Sequence, residues 1–120
     1  VATLTLMHKG IRLVAQLRVE GTPEATVLPV IREMLTAGLW RHPDLKVSIK
    51  RLTLDAADPR AAQLKVRVEG EAEPAFNWAL HTTRALAEML VAGQWRHPAA
   101  KLTVQTVEED RDWEEEAGAE

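Results

Sequence analysis

The segment "MLTAGLWRHP" at residues 34–43 returns 55 residues later as "MLVAGQWRHP" at 89–98. Upstream, "LRVEG" at 17–21 returns as "VRVEG" at 66–70, an offset of 49, so the second copy holds six more residues between these landmarks. Two copies fall short of the roughly three units that a stacked array needs. The repeat therefore describes one pseudo-symmetric domain over residues 1–107, with halves at about 1–55 and 56–107, followed by an acidic tail at 108–120.

Working outward from the repeat, each half parses by period. Ile11, Leu13, Ala15, Leu17 and Val19 alternate with Arg12, Gln16 and Arg18, which is the two-residue period of a half-buried strand; Val14 is the exception on the polar side. Leu45, Val47 and Ile49 alternate with Lys46, Ser48 and Lys50. Leu64, Val66 and Val68 alternate with Lys65, Arg67 and Glu69, and Leu102 and Val104 with Lys101, Thr103 and Gln105. Helical spacing lies between these strands. The first helix opens at Thr22 with Pro23 and Glu24 in its first turn, or starts later, near Thr26, because Pro29 deep in a helix would remove a hydrogen bond. Val27, Ile31, Met34, Leu35 and Gly38 trace its inner face. The second runs from about Pro74 to Ala92, with Phe76, Ala79, Leu80, Thr83, Leu86, Ala87 and Leu90 inward. Gly38 and Gly93 fall where a left-handed cap would end each helix. "DAADP" at 55–59 reads as the turn between halves.

The order strand–helix–strand–strand–helix–strand, with right-handed crossovers, resembles the ferredoxin-like split arrangement over residues 11–107. That resemblance implies an α+β two-layer sandwich: four antiparallel core strands with two helices on one face. Residues 2–8 alternate as well, and "HKG" at 8–10 suggests a hairpin that adds an N-terminal fifth strand; one long strand bent at Gly10 is the alternative. The clean alternation, the repeated helix stops, the absence of cysteine and the compact connection "HPDLKVSI" at 42–49 also resemble designed or idealised proteins of this topology. A natural duplication would give matching halves too.

Composition bounds the chemistry. Without cysteine there is no disulfide, zinc–thiolate site, iron–sulfur cluster or thiol nucleophile. No apolar run approaches the ~18 residues of a membrane span, and the start lacks the plan of a signal peptide, so a soluble, cytoplasmic protein without membrane contact is expected. The net charge of -3 divides unevenly: residues 1–107 are net positive, while "EEDRDWEEEAGAE" at 108–120 carries eight acids against one arginine. That tail could be solvated, or could lie over a basic surface and compete with an anionic ligand.

Three groups of residues could carry function. The twin "WRHP" segments read as structural: Trp40 and Trp95 covering the bottom of the core, Arg and His favoured at helix C-termini, proline stopping the helix. Antiparallel helices would hold these loops at opposite ends of the sheet, unless a dimer brought them together. On the second helix, Trp78, His81 and Thr82 share one flank beside Asn77. With His8 they are the ligand-binding candidates, in a cleft between that helix and the sheet. No carboxylate stands three or four residues from His81, so no catalytic residue is assigned. The histidines at 8, 42, 81 and 97 lack metal-ligand spacing, and neither metal nor cofactor is expected. On the open sheet face, Arg12, Arg18, Lys46, Lys50, Lys65, Arg67 and Lys101 stand against Glu69 and could meet an anionic partner. That face has no aromatic on which a base could stack, which weighs against nucleic acid.

The resulting expectation is a non-enzymatic scaffold or small-molecule-binding module, with a homodimer open to it. The alternative is a module that binds an anionic partner or nucleic acid through the basic sheet. A histidine-dependent enzyme ranks third.

Overall fold

The structure is a computed structural model and describes residues 5–111. Expectations that fall on residues 2–4 and 112–120 lie outside the described residues.

Leu13, Ala15, Leu17 and Val19 are fully buried at alternate positions of a single strand, β1 (Met7–Glu20). Then come α1 (Val27–Gly38), β2 (Lys46–Leu54), β3 (Ala61–Ala72), α2 (Trp78–Ala92) and β4 (Lys101–Glu109). The sheet order is β2-β3-β1-β4, every neighbouring pair antiparallel. With both helices over one face, this is the ferredoxin-like α+β sandwich that the element order implied. Its core is the apolar parity of the four strands against Val27, Val30, Ile31, Met34 and Leu35 of α1 and Ala85, Leu86, Met89 and Leu90 of α2. Each buried Val, Leu, Ile or Met side chain contributes about 1.5–3 kcal/mol by leaving water.

Several sequence expectations are corrected. Among the described residues there is no hairpin at "HKG": His8, Lys9 and Gly10 continue β1 and pair with Glu71, Gly70 and Glu69 of β3. The ladder to β3 makes them part of one long strand, as in the alternative reading, and the sheet of the described residues has four strands. β4 runs to Glu109, past the expected start of the tail, and the Asp110 amide donates to the Arg12 carbonyl. Helix α1 takes the later start. A short 3-10 turn at Glu24–Thr26 precedes it, so Pro29 sits in the first α-helical turn, where its missing N–H costs little.

Helix α2 starts at Trp78 rather than Pro74, because the Asn77 side chain caps it by accepting from the Leu80 amide at 3.1 Å. Its buried stripe is Trp78, Thr82, Ala85, Leu86, Met89 and Leu90; Phe76 and Leu80, expected inward, are exposed. The rotation follows from Trp78, whose ring lies over Gly70 of β3 and fixes which side of the first turn faces the sheet.

Two edge-strand irregularities also escape the alternation rule. β2 shifts register between Ile49 and Arg51, and β4 shifts opposite Gln16 and Leu17, skipping Gln105. Lys50 and Gln105 are thus bulge residues, and they are themselves 55 apart. Each bulge flips the parity after it, so Leu52 and Val107 return to the core side and Arg51 takes the place opposite Lys65.

Candidate functional site

The repeat builds the helix layer. Gly38 and Gly93 are not left-handed caps: both have negative φ, at -99° and -85°. They are glycines because the helices cross there. A Cβ on Gly38 would overlap the Met89 carbonyl oxygen, and one on Gly93 would overlap that of Met34. The helix C-termini meet at this crossing, which the expectation of well-separated loops did not allow.

Each chain end then passes onto the other helix. After α1, the Arg41 guanidinium stands 3.1 Å from Glu88 Oε2 and His42 Nε2 stands 2.9 Å from Glu88 Oε1. After α2, Arg96 reaches Glu33 Oε1 at 3.3 Å and His97 Nε2 reaches Glu33 Oε2 at 2.9 Å. One carboxylate on each helix holds the Arg–His pair of the opposite segment. Glu33 and Glu88 immediately precede the two repeated segments and are likewise 55 apart, a match in the sequence that would have revealed them. The His42 hydrogen bond, with Arg41 beside it, holds the Glu88 carboxyl below the usual carboxylate range.

The tryptophans do not cover the core. Trp40 and Trp95 are each 64% exposed and Val91 is 62% exposed, all on the helix layer. The short 3-10 turns that follow each helix, Leu39–Arg41 and Gln94–Arg96, carry the indoles out over the opposite helix instead of beneath it. Trp40, Arg41, Ala87, Glu88, Val91 and Ala92 line a shallow, mostly apolar hollow of about 440 Å³. Trp95 lies on the other side of the crossing, its Nε1 3.4 Å from the Ala37 carbonyl.

The α2 candidates come together in part. Asn77, Trp78, His81 and Thr82 share the first turns of the helix. His81 is ringed by Phe76, His42 and Trp78 at centroid distances of 5.3, 5.9 and 6.1 Å. The Thr82 hydroxyl donates to the Trp78 carbonyl at 2.8 Å, the Asn77 carbonyl is spent on the cap, and Trp78 Nε1 is buried without a hydrogen-bond partner. Sequence reasoning missed His42 here, because it arrives from the first half. His8 is not part of this group: the parity of β1 places it on the opposite sheet face, across from Glu71.

On that open face, the expected field of cations is interleaved with acids. Arg18 pairs with Asp58 at 2.5 Å and Glu20 at 3.1 Å; Arg67 pairs with Glu69 at 2.6 Å. Lys65 and Asp110 form a buried pair at 3.5 Å. Lys46 lies opposite Glu69 and Lys101 opposite Glu20 in register, while Lys50 falls at the bulge. Asp58 is held below its ordinary range by the Arg60 amide and then by Arg18, and Glu69 by Arg67. Single-strand alternation could not reveal acids delivered by β4 and by the turn before β3. A polar groove of about 420 Å³ remains, lined by Gly10, Ile11, Arg12, Arg67, Glu109, Asp110 and Arg111.

Among the described residues, no group of three or more His, Asp or Glu side chains is placed to hold a metal ion, and no helix is long and apolar enough to cross a membrane.

No protein-family model matches the chain, and no curated protein sequence does either. Among solved structures it is similar to a de novo designed protein with ferredoxin fold, determined in solution by NMR. That match has a TM-score of 0.44 and 12% identity over 80% of this chain and 86% of the other. It is also similar to part of an amidase of the hydantoinase/carbamoylase family from Burkholderia phymatum, with a TM-score of 0.42 and 23% identity, over 88% of this chain and 30% of the amidase. Both likenesses concern the fold.

Proposed function

We propose that this chain is a non-enzymatic binding scaffold, and that its binding site is the hollow between Trp40 and α2. The observation that carries this reading is the exposed pair of an indole and Val91 around an apolar hollow of about 440 Å³, on a base that the glycine crossing and the Glu88 clamp hold in place. Compact pockets of ~300–1,000 Å³ that are mostly apolar with a few polar groups suit small ligands. Ala87, Val91 and Ala92 of α2 with Trp40 supply its apolar lining, and Arg41 with Glu88 its charged groups. That chemistry selects a flat aromatic group with an anionic or hydrogen-bonding edge. In this reading the cluster around His81 packs the start of α2 and is not the binding cleft.

The test is titration with the fluorophore anilinonaphthalene sulfonate, which offers a flat apolar body and one anionic group. Trp40→Ala and Val91→Glu should each weaken binding by about tenfold, equivalent to ~1.4 kcal/mol, while His81→Ala leaves it unchanged. Binding lost in His81→Ala and kept in Trp40→Ala would return the site to the start of α2.

A second reading is favoured by the groove on the open face, where Arg12, Arg67 and Arg111 stand among the lining residues with Glu109 and Asp110. A single-stranded oligonucleotide whose affinity falls steeply with salt, and falls again in Arg67→Glu, would make that face an anion-binding surface.

A further inference from the structure

Besides the hollow beside Trp40, the helix layer carries a second exposed indole, Trp95, of a size that such a hollow could take. Trp95 is as exposed as Trp40 and lies across the helix crossing from the hollow. Knob and hole thus occur on one surface, and the repeat relates the two tryptophans by a pseudo-twofold. We propose that this surface is an interface between two copies of the chain, with Trp95 of each copy seated in the hollow of the other. The inference rests on the hollow being a binding site, as proposed above, and names its occupant.

Self-complementarity is the requirement of a twofold contact: whatever one copy offers, the same surface must receive. Trp95 supplies the inserted group, and Trp40, Ala87, Val91 and Ala92 supply the receptor. The charges agree. Arg41 with Glu88 rims one end of the surface and Arg96 with Glu33 the other, so both signs stand at both ends. A contact that exchanges the ends lays Arg41 and Glu88 of one copy beside Glu33 and Arg96 of the second, with no like-charge field to oppose it. Tryptophan flanked by arginine is also the composition enriched where protein interfaces concentrate their energy. The two tryptophans and Val91 are the most exposed large apolar side chains among the described residues, and this contact would cover all three.

Sedimentation of the full chain across a concentration series, with anilinonaphthalene sulfonate binding measured on the same samples, tests the inference. The expected result is a monomer–dimer equilibrium that Trp95→Ala weakens by at least tenfold, while the fluorophore still binds the vacated hollow. Val91→Glu, a change at an exposed position, should abolish the dimer and weaken fluorophore binding by about tenfold. Fluorophore affinity of the wild-type chain should fall as protein concentration rises, because the second copy competes. A chain that stays monomeric yet binds fluorophore would overturn the dimer and leave the hollow as a site for another group. A dimer indifferent to Trp95→Ala and Val91→Glu would place the interface elsewhere and also overturn the inference. Loss of both readouts in the wild-type chain would remove the binding reading as well.

Discussion

The two halves of the molecule agree where they touch each other and, the matched bulges of β2 and β4 apart, differ where they touch the sheet. At the crossing, Gly38 answers Gly93, Glu33 answers Glu88, and each Arg–His pair clamps the helix of the other half. Away from it, the same landmarks serve different ends. Gly21 ends β1 in a left-handed conformation at φ 82°, whereas Gly70 lies inside β3 beneath the Trp78 ring. Leu39 packs against the core, but its counterpart Gln94 donates to the His97 and Ala100 carbonyls and accepts from the Leu102 amide, tying its loop to β4. Helix α2 has a side-chain cap from Asn77; Thr26 at the start of α1 gives its hydroxyl to the Pro23 carbonyl instead. Residues at a pseudo-twofold meet their own counterparts, so one solution serves both halves. Residues farther out meet different strands and are free to diverge.

The crossing offers the hardest test of that comparison. Gly38→Ala and Gly93→Ala should each destabilise by about 3 kcal/mol, the upper end of overpacking costs, because the added methyl meets backbone rather than a side chain that can turn aside. Urea unfolding should give equal losses for the two; a clear inequality would break the symmetry of the crossing.

The loops after the helices come next. Gln94→Leu, which copies the first half into the second, should cost about 2 kcal/mol by taking the Gln94 amide from the Leu102 N–H and the Ala100 carbonyl. Leu39→Gln, the reverse change, should cost a similar amount through lost apolar burial. Were either swap neutral in thermal unfolding, the halves would be interchangeable here after all.

At the helix starts the effects are smaller. Asn77→Ala should lose about 1 kcal/mol with its cap, and Thr26→Ala about half of that, since no helix amide depends on its hydroxyl. Equal losses would remove this distinction between the helices.

The smallest effect concerns pH. Glu88 titrates below its ordinary range in the folded protein. Its contribution is therefore full above the ordinary carboxylate range and is lost as the pH falls through its folded value. Glu88→Gln should be less stable than the wild-type chain near neutrality, with the gap narrowing in acid. A gap that stayed constant in melts across the acid range would show that the His42–Glu88 clamp does not depend on charge.

Much of this molecule was legible in advance. Strand alternation placed β1 and β3, every residue expected on the inner face of α1 is buried there with Val30 added, and the order of elements implied the split topology. The candidate site was less legible. Trp40 and Trp95 were assigned to the core because large aromatic residues usually go there, and nothing local to "WRHP" says that a 3-10 turn carries them outward. Arg51 was overlooked because alternation assumes an unbroken pleat, and the bulge at Lys50 breaks it. Phe76 and Leu80 were placed inward because helical period fixes the width of a stripe but not its rotation, which the fit of Trp78 on Gly70 sets.

The sequence by itself determined which segments are strands and helices, and that they form two related units, because periodicity and repetition are properties of the chain alone. Tertiary structure decided which glycine is a crossing and which a turn, which acid holds which Arg–His pair, and which tryptophan faces water. Those outcomes depend on groups about 40 to 65 residues apart being brought within a few ångströms, a condition that no local pattern encodes.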